Sequence, residues 1–288
     1  MASSPGQYSI VALHRGRHRP SKRLGQNFLT DPGIAEEIVS SVSPGPSDTV
    51  LEPGPGHGTL TRLLQKKAGR LIAIEKDPGL ASELREAFRN ESNVTVLEGD
   101  ILKIGQSIPA FNKLVSTPPY YISSKLTLFL ASRKFDVAAV VFQKEFGERL
   151  LAEPGTRDYG RLTVMAGRKL NMERIRDISR IAFNPRPKVD STLLRFTPKH
   201  GLTEIDEPLF EELVRGIFTQ RRRLSKGALT HFLSLKYGRE LGRELVSRIS
   251  IPDARVYQLS IEQLENLSLQ TWRVVSNAIV SGSLKEQR

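Results

Sequence analysis

Leu51-Glu52-Pro53-Gly54-Pro55-Gly56-His57-Gly58 is the stretch that decides the fold. It closes a strand ending over Thr49 to Glu52 and opens a helix predicted over Thr59 to Lys67. Glycines at alternate positions let the backbone turn tightly and approach a ligand without Cβ collisions. A dinucleotide-binding turn would place its third glycine at position 59, which is Thr59, so the G-x-G-x-G spacing argues against NAD.

The same alternation continues on both sides. A helix is predicted over Ile34 to Val42 and another over Pro78 to Arg89, with strands over Arg70 to Glu75, Asn93 to Leu97, Lys113 to Ser116 and Val137 to Gln143. Strands alternating with helices predict an open, mostly parallel sheet with helices on both faces. After about residue 160, strand-like runs at Leu162 to Ala166 and Ser191 to Thr197 flank a Pro-rich segment from Phe183 to Pro187 and suggest antiparallel strands at one edge. Beyond Pro198, apolar residues recur at three- and four-residue steps over Pro208 to Phe218, Ser225 to Leu235, Glu240 to Ile249 and Ile261 to Ile279, which predicts helices. The expected division is a basic flexible tail over residues 1–20, an α/β domain over 21–199 and a helical domain over 200–288.

The 288 residues contain no Cys, which excludes disulfides, thiolate catalysis and Cys-ligated metals. No apolar run approaches the roughly 18 residues of a membrane helix, and Met-Ala-Ser-Ser-Pro-Gly at the start lacks the apolar stretch of a secretory signal, so export is not expected. The expectation is a soluble, cytoplasmic protein, monomeric because no heptad seam is evident. The five His show no metal-ligand spacing, and no G-x-S-x-G elbow supports hydrolase chemistry. Lys and Arg total 43 against 31 acids, a net charge of +12 that favours a polyanionic partner. Arg15, Arg17, Arg19, Lys22 and Arg23 precede the first acid, Asp31, while Arg221, Arg222, Arg223 and Lys226 form a second cluster. Two separated clusters suggest an extended footprint on a phosphate backbone.

Acids surround the glycine turn. Glu52 precedes it, Glu75 ends Leu71-Ile72-Ala73-Ile74-Glu75, and Asp100 follows the next strand in Glu98-Gly99-Asp100-Ile101. At a strand end, Glu75 can accept both hydroxyl hydrogens of a ribose, and Asp100 would meet the exocyclic amine of an adenine. Three acids fit S-adenosylmethionine better than a pyrophosphate, because its sulfonium is cationic and it carries no phosphate to repel them.

The E-x-G-x-G-x-G turn, the ribose Glu and the Gly-Asp pair resemble a class I S-adenosylmethionine methyltransferase. Leu24-Gly25-Gln26-Asn27-Phe28-Leu29 resembles the N-terminal motif of the ribosomal RNA adenine N6,N6-dimethyltransferases. Gln143-Lys144-Glu145 with Arg149, Pro154-Gly155, Tyr159-Gly160-Arg161-Leu162, Phe183-x-Pro185-x-Pro187-Lys188-Val189-Asp190-Ser191 and Phe218-x-x-Arg221-Arg222-Arg223 follow in that family's order. The resemblance implies a doubly wound, Rossmann-like α/β methyltransferase sheet with a smaller C-terminal all-helical domain that helps hold RNA. It implies donor contacts at Asn27, Leu29, Gly54, Glu75 and Asp100, and Gln26, Glu52, Gly56, Lys76 and Ile101 complete the candidate set. The implied substrate is two adjacent adenines near the 3′ end of small-subunit rRNA, presented by the small ribosomal subunit or its precursor.

Ser116-Thr117-Pro118-Pro119-Tyr120 follows the fourth strand, where amino-methylating enzymes keep a hydrogen-bond acceptor, proline and an aromatic ring. An adenine N6 lone pair is delocalised into its ring. Oxygens that accept the N6 hydrogens make that nitrogen more tetrahedral and nucleophilic, and a rigid proline fixes a carbonyl for this task. Tyr120 would stack on the base, and Phe183 resembles the aromatic that closes over it from the other side. The resembled family normally carries Asn where this chain has Thr117. A hydroxyl accepts a hydrogen bond too, but sits one atom nearer the backbone. Two readings therefore stay open, a methyltransferase and an RNA-binding assembly factor that has lost turnover. Methylation of DNA adenine, suggested by Pro-Pro-Tyr alone, fits the motifs outside the pocket less well.

Overall fold

The computed structural model describes residues 25–104 and 107–280. The expected basic tail, with Arg15, Arg17, Arg19, Lys22 and Arg23, lies outside the described residues. Local signals start the first elements. A two-residue strand β1 (Phe28–Leu29) leads to helix α1 (Pro32–Ser40), whose first turn is capped by the Asp31 carboxylate accepting from the Ile34 amide at 3.0 Å. The same Asp-Pro-Gly device opens a later helix at Asp77-Pro78-Gly79. Between them lie β2 (Thr49–Pro53), α2 (Thr59–Gln65) and β3 (Arg70–Glu75), followed by α3 (Pro78–Ala87), β4 (Val94–Glu98) and α4 (Ile101–Ile104). Next come β5 (Lys113–Ser116), α5 (Ser123–Ala131), β6 (Val137–Gln143) and α6 (Lys144–Leu150). Then α7 (Arg161–Lys169), β7 (Leu170–Ile178), β8 (Phe183–Asn184), β9 (Ser191–Pro198), α8 (Glu207–Phe218), α9 (Ser225–Tyr237), α10 (Arg239–Ser247) and α11 (Ile261–Val280) complete the chain.

Seven strands pair in the order β4-β3-β2-β5-β6-β9-β7. The first five are mutually parallel, while β9 runs antiparallel to both β6 and β7. The chain therefore builds β2, β3 and β4 outward to one side, then crosses back to lay β5 against the other side of β2. Such a reversal opens a crevice at the carboxyl ends of the strands flanking it. The glycine turn after β2 and the Thr117–Tyr120 segment after β5 both fall there. The central strands are near-continuous apolar runs, as strands covered on both faces must be. Leu51, Leu71, Ile72, Leu114 and Val140 are all fully buried.

The structure corrects the reading at two adjoining places. Leu162 to Ala166 is not a strand but the body of α7, with Thr163, Val164, Ala166, Gly167 and Arg168 buried at helical spacing. The β-branched residues that suggested a strand are accommodated because Val164 packs into a helical core with Phe210, Leu213 and Leu264. The antiparallel partner of β9 is instead β7, which sequence patterning missed. It is a charged edge strand whose alternation is broken by a bulge between Arg174 and Arg176, and charges on an exposed edge discourage pairing with other chains.

The described residues form two compact units, one within residues 25–147 and 170–198, the other within residues 148–169 and 199–280. The division is thus not a single cut near His200, because α7 and the loop before it belong with the helical unit. That unit is organised around Arg168, whose side chain is only 2% exposed and donates to Glu265 at 2.8 Å, Glu207 at 2.6 Å and the Thr203 carbonyl at 2.9 Å. Removing Arg168 leaves the largely buried Glu265 carboxylate without its guanidinium partner, while Glu207 can turn to water. Arg168→Ala is expected to lower unfolding free energy by about 3–5 kcal/mol. Urea titration checks this, and a loss no larger than that of Glu207→Gln, whose carboxylate is 46% exposed, would contradict the central role of Arg168.

Candidate active site

The turn after β2 is held from below. Glu75, at the end of β3, accepts from the Gly56 amide at 3.1 Å through one oxygen and from the Asp77 amide at 2.9 Å through the other. The Gly54 amide donates to the Ile74 carbonyl at 2.9 Å. Gly56 has φ +58°, and a Cβ there would come within 2.8 Å of the Phe28 ring, so backbone and ring meet at a distance that no other residue permits.

Above the turn lies a cavity enclosing about 820 Å³ of space. Of the residues expected to hold a donor, Gln26, Asn27, Leu29, Gly54, Gly56, Glu75, Lys76, Asp100 and Ile101 all line it. Glu52 does not. It lies in a central strand at 1% exposure, and its Oε2 has no hydrogen-bond partner. Burial pushes the Glu52 carboxyl up to about 8, and the Glu75 charge adds to the push. Burial likewise raises Glu75, against the opposing pull of its amide partners. Burial also works against the Asp100 carboxylate, but the Leu102 amide at 3.0 Å and the Lys76 ammonium at 3.1 Å together hold it below the usual range. Lys76 stands 5.8 Å from the Tyr121 ring centre.

The lining therefore combines apolar surface and glycine backbone with two carboxylates, and its one ammonium is already paired to Asp100. This is a chemistry for a ligand with hydroxyl and amine hydrogens and a positive charge, and a poor one for phosphates. S-adenosylmethionine fits it. Phe28 and Tyr121 also line the cavity but were not read from the sequence as donor contacts. Each adjoins a residue that was singled out, and only the fold shows that both rings face the same space. Among the described residues no cluster of three His, Asp or Glu is placed to hold a metal.

Thr117 and Asn27 line this cavity and also a second, smaller one of about 220 Å³, bounded further by Gly25, Pro118, Tyr120, Val141 and Phe183. The structure thus brings Thr117, Pro118, Tyr120 and Phe183 together, while Pro119 faces the larger cavity. Ser116 anchors the segment by donating to the Pro53 carbonyl at 2.6 Å. The Tyr120 hydroxyl lies 2.7 Å from Ser191 Oγ, which fixes the ring, and burial raises its pKa. Phe183 is 5% exposed and belongs to β8, which pairs with β1 so that Leu29 lies opposite Phe183.

In the helical unit, Arg222, Arg223 and Lys226 are exposed. Arg221 differs from the expectation of a free phosphate contact. Its guanidinium donates to the Arg157 carbonyl at 2.7 Å and the Thr156 carbonyl at 3.3 Å, so it also braces a loop.

The profile of the ribosomal RNA adenine dimethylase family matches residues 17–266. A probable ribosomal RNA small subunit methyltransferase A of Thermococcus kodakarensis is 44% identical over 262 residues, covering 89% of this chain and 91% of that protein. Its namesake from Methanosarcina mazei is 35% identical over 246 residues, covering 84% and 90%. Among solved structures, a dimethyladenosine transferase from Plasmodium falciparum superposes with TM-score 0.77 at 27% identity, covering 86% of this chain and 98% of that one. The 23S rRNA methyltransferase ErmE gives 0.61 at 29% identity, covering 85% and 99%.

The raised Glu52 pKa has a definite sign in stability. Between the ordinary value of 4.5 and about 8, the folded protein binds a proton there that the unfolded chain does not, so stability falls as pH rises through that window. Glu52→Gln is expected to flatten this fall, which approaches ~1.4 kcal/mol per pH unit for one group. Urea unfolding across the window measures it, and identical pH profiles for the two proteins would refute the assignment.

Proposed function

The chain belongs to the ribosomal RNA adenine dimethylase family, and on that basis we propose that it transfers methyl groups from S-adenosylmethionine to N6 of two adjacent adenines near the 3′ end of small-subunit rRNA. The substrate is presented by the small ribosomal subunit or its precursor, and the protein acts as a cytoplasmic monomer. Among the described residues no helix is long and apolar enough to cross a membrane. The observation that carries the reading is the seam at Asn27 and Thr117, where a cavity suited to the donor adjoins one lined by Thr117, Pro118, Tyr120 and Phe183.

In this reading Gln26, Asn27, Leu29, Gly54, Gly56, Lys76 and Ile101 enclose the donor, while Glu75 takes ribose hydroxyl hydrogens and Asp100 an amine. Glu52, buried below and holding its proton at neutral pH, makes no contact with the donor. When bound, the donor supplies an electrophilic methyl group on a cationic sulfur. Tyr120 and Phe183 flank the adenine ring, a pair of contacts each worth roughly 1–3 kcal/mol. The Thr117 hydroxyl and the Pro118 carbonyl accept the N6 hydrogens, directing the nitrogen lone pair at the seam. Catalysis is alignment for in-line displacement, and the proton that N6 sheds after attack passes to water. The α/β unit carries this chemistry, and the helical unit, through Arg221, Arg222, Arg223 and Lys226, contacts rRNA phosphates.

Labelled methyl transfer to undermethylated small subunits is expected from the wild-type protein. Phe183→Ala should lower transfer by about 10- to 100-fold while leaving donor affinity, read by calorimetry, unchanged. If the wild type is silent and Thr117→Asn active, the protein is an assembly factor rather than an enzyme. A folded protein giving no heat with S-adenosylmethionine would end the methyltransferase reading altogether.

A further inference from the structure

A third cavity lies wholly within the helical unit and encloses about 1370 Å³ of space. Five guanidinium groups line it, those of Arg149, Arg157, Arg221, Arg222 and Arg255, together with Tyr257 and a single acid, Asp158. Three of these arginines, Arg149, Arg157 and Arg255, lie outside the cluster that the sequence singles out. Among the described residues no carboxylate lies in ion-pair range of any of the five. Like charges gathered in a concavity repel one another, and the fold tolerates them because backbone hydrogen bonds lace the supporting segments together. The Gly155 amide donates to the Tyr257 carbonyl at 2.8 Å, the Tyr257 amide to the Arg221 carbonyl at 3.0 Å, and the Val256 amide to the Arg223 carbonyl at 3.1 Å. Two of the guanidinium groups are themselves fixed. Arg221 is held by the Thr156 and Arg157 carbonyls and lies 5.6 Å from the Tyr257 ring centre, and Arg255 donates to the Arg222 carbonyl.

Such a cluster is assembled before any ligand arrives, and its chemistry is specific. Guanidinium forks match phosphate oxygens in bidentate pairs, which ammonium groups do not. Tyr257, the one aromatic side chain in the lining, has the Arg221 guanidinium over its ring, so the cavity reads charge rather than bases. One phosphate cannot neutralise five cations offset by one acid. A backbone running straight over a surface meets cations in a row, whereas a concave cluster gathers the converging phosphates of a turned one.

We propose that this cavity is a binding site for a sharply turned RNA backbone, holding two or more neighbouring phosphates between Arg149, Arg157, Arg222 and Arg255, with Arg221 as its fixed floor. The proposal rests on the rRNA substrate argued above and adds the shape of RNA that the helical unit selects. Asp158 is then a built-in opponent of binding, which gives the test two signs.

The experiment measures affinity of the full-length protein for a folded small-subunit rRNA fragment and for a linear oligouridylate of equal length, over a series of salt concentrations. Arg149→Gln and Arg157→Gln, exposed side chains whose loss leaves no buried group stranded, should each weaken binding to the folded RNA severalfold and reduce the salt slope by about one. The linear RNA should be affected less. Asp158→Asn should tighten binding to the folded RNA, and Arg243→Gln, an exposed arginine of α10 outside the cavity, should change little. Unchanged slopes in both cavity variants, equal losses on the two RNAs, or an equal loss in Arg243→Gln would each overturn the proposal. Failure of the methyltransferase reading shows separately, as absent donor heat or absent methyl transfer in the wild type.

Discussion

Both oxygens of Glu75 are taken by backbone amides, one from Gly56 in the turn after β2 and one from Asp77 at the start of α3. These two bonds tie the turn after β2 to the start of α3, and the larger cavity is lined by residues of both segments. They also explain why a buried carboxylate survives in a sheet otherwise built of apolar runs. Burial penalises its charge, and oriented amides offset much of the penalty. Asp77 extends the arrangement by one step, since its own carboxylate accepts from the Gly79 and Leu80 amides and so fixes the helix whose start adjoins Glu75. Glu52 has no comparable support for its Oε2 and remains the most perturbed acid at the site.

The second constraint is topological. Because β5 returns to the far side of β2, the segments leaving these two adjacent strands end at one crevice, and Ser116 ties them together through the Pro53 carbonyl. Thr117 thereby comes to lie at the boundary between two cavities of very different size. An Asn side chain at that boundary would reach one atom further. The shorter hydroxyl leaves more of the small cavity's wall to the Tyr120 and Phe183 rings.

Much of this was legible in the chain itself. The glycine spacing and the apolar runs are local signals, and they located the parallel strands and most of the residues that line the larger cavity. What escaped depends on partners distant in sequence. β7 looks like a charged loop until β9 lies beside it, and α7 looks like a strand until the helical core claims Val164. Glu52 reads as a cofactor contact because it adjoins the turn, although a strand paired on both edges carries it into the interior. Arg221 reads as a free cation because the carbonyls that bind it lie more than sixty residues earlier.

The pairing of β1 with β8 joins Phe28 and Leu29 to a segment that follows them by some 150 residues. As the polypeptide leaves the ribosome, the five parallel strands emerge well before Phe183 does. Every other residue bounding the smaller cavity precedes Phe183 in the chain, so that cavity has no complete wall until β8 has been synthesised and can pair with β1.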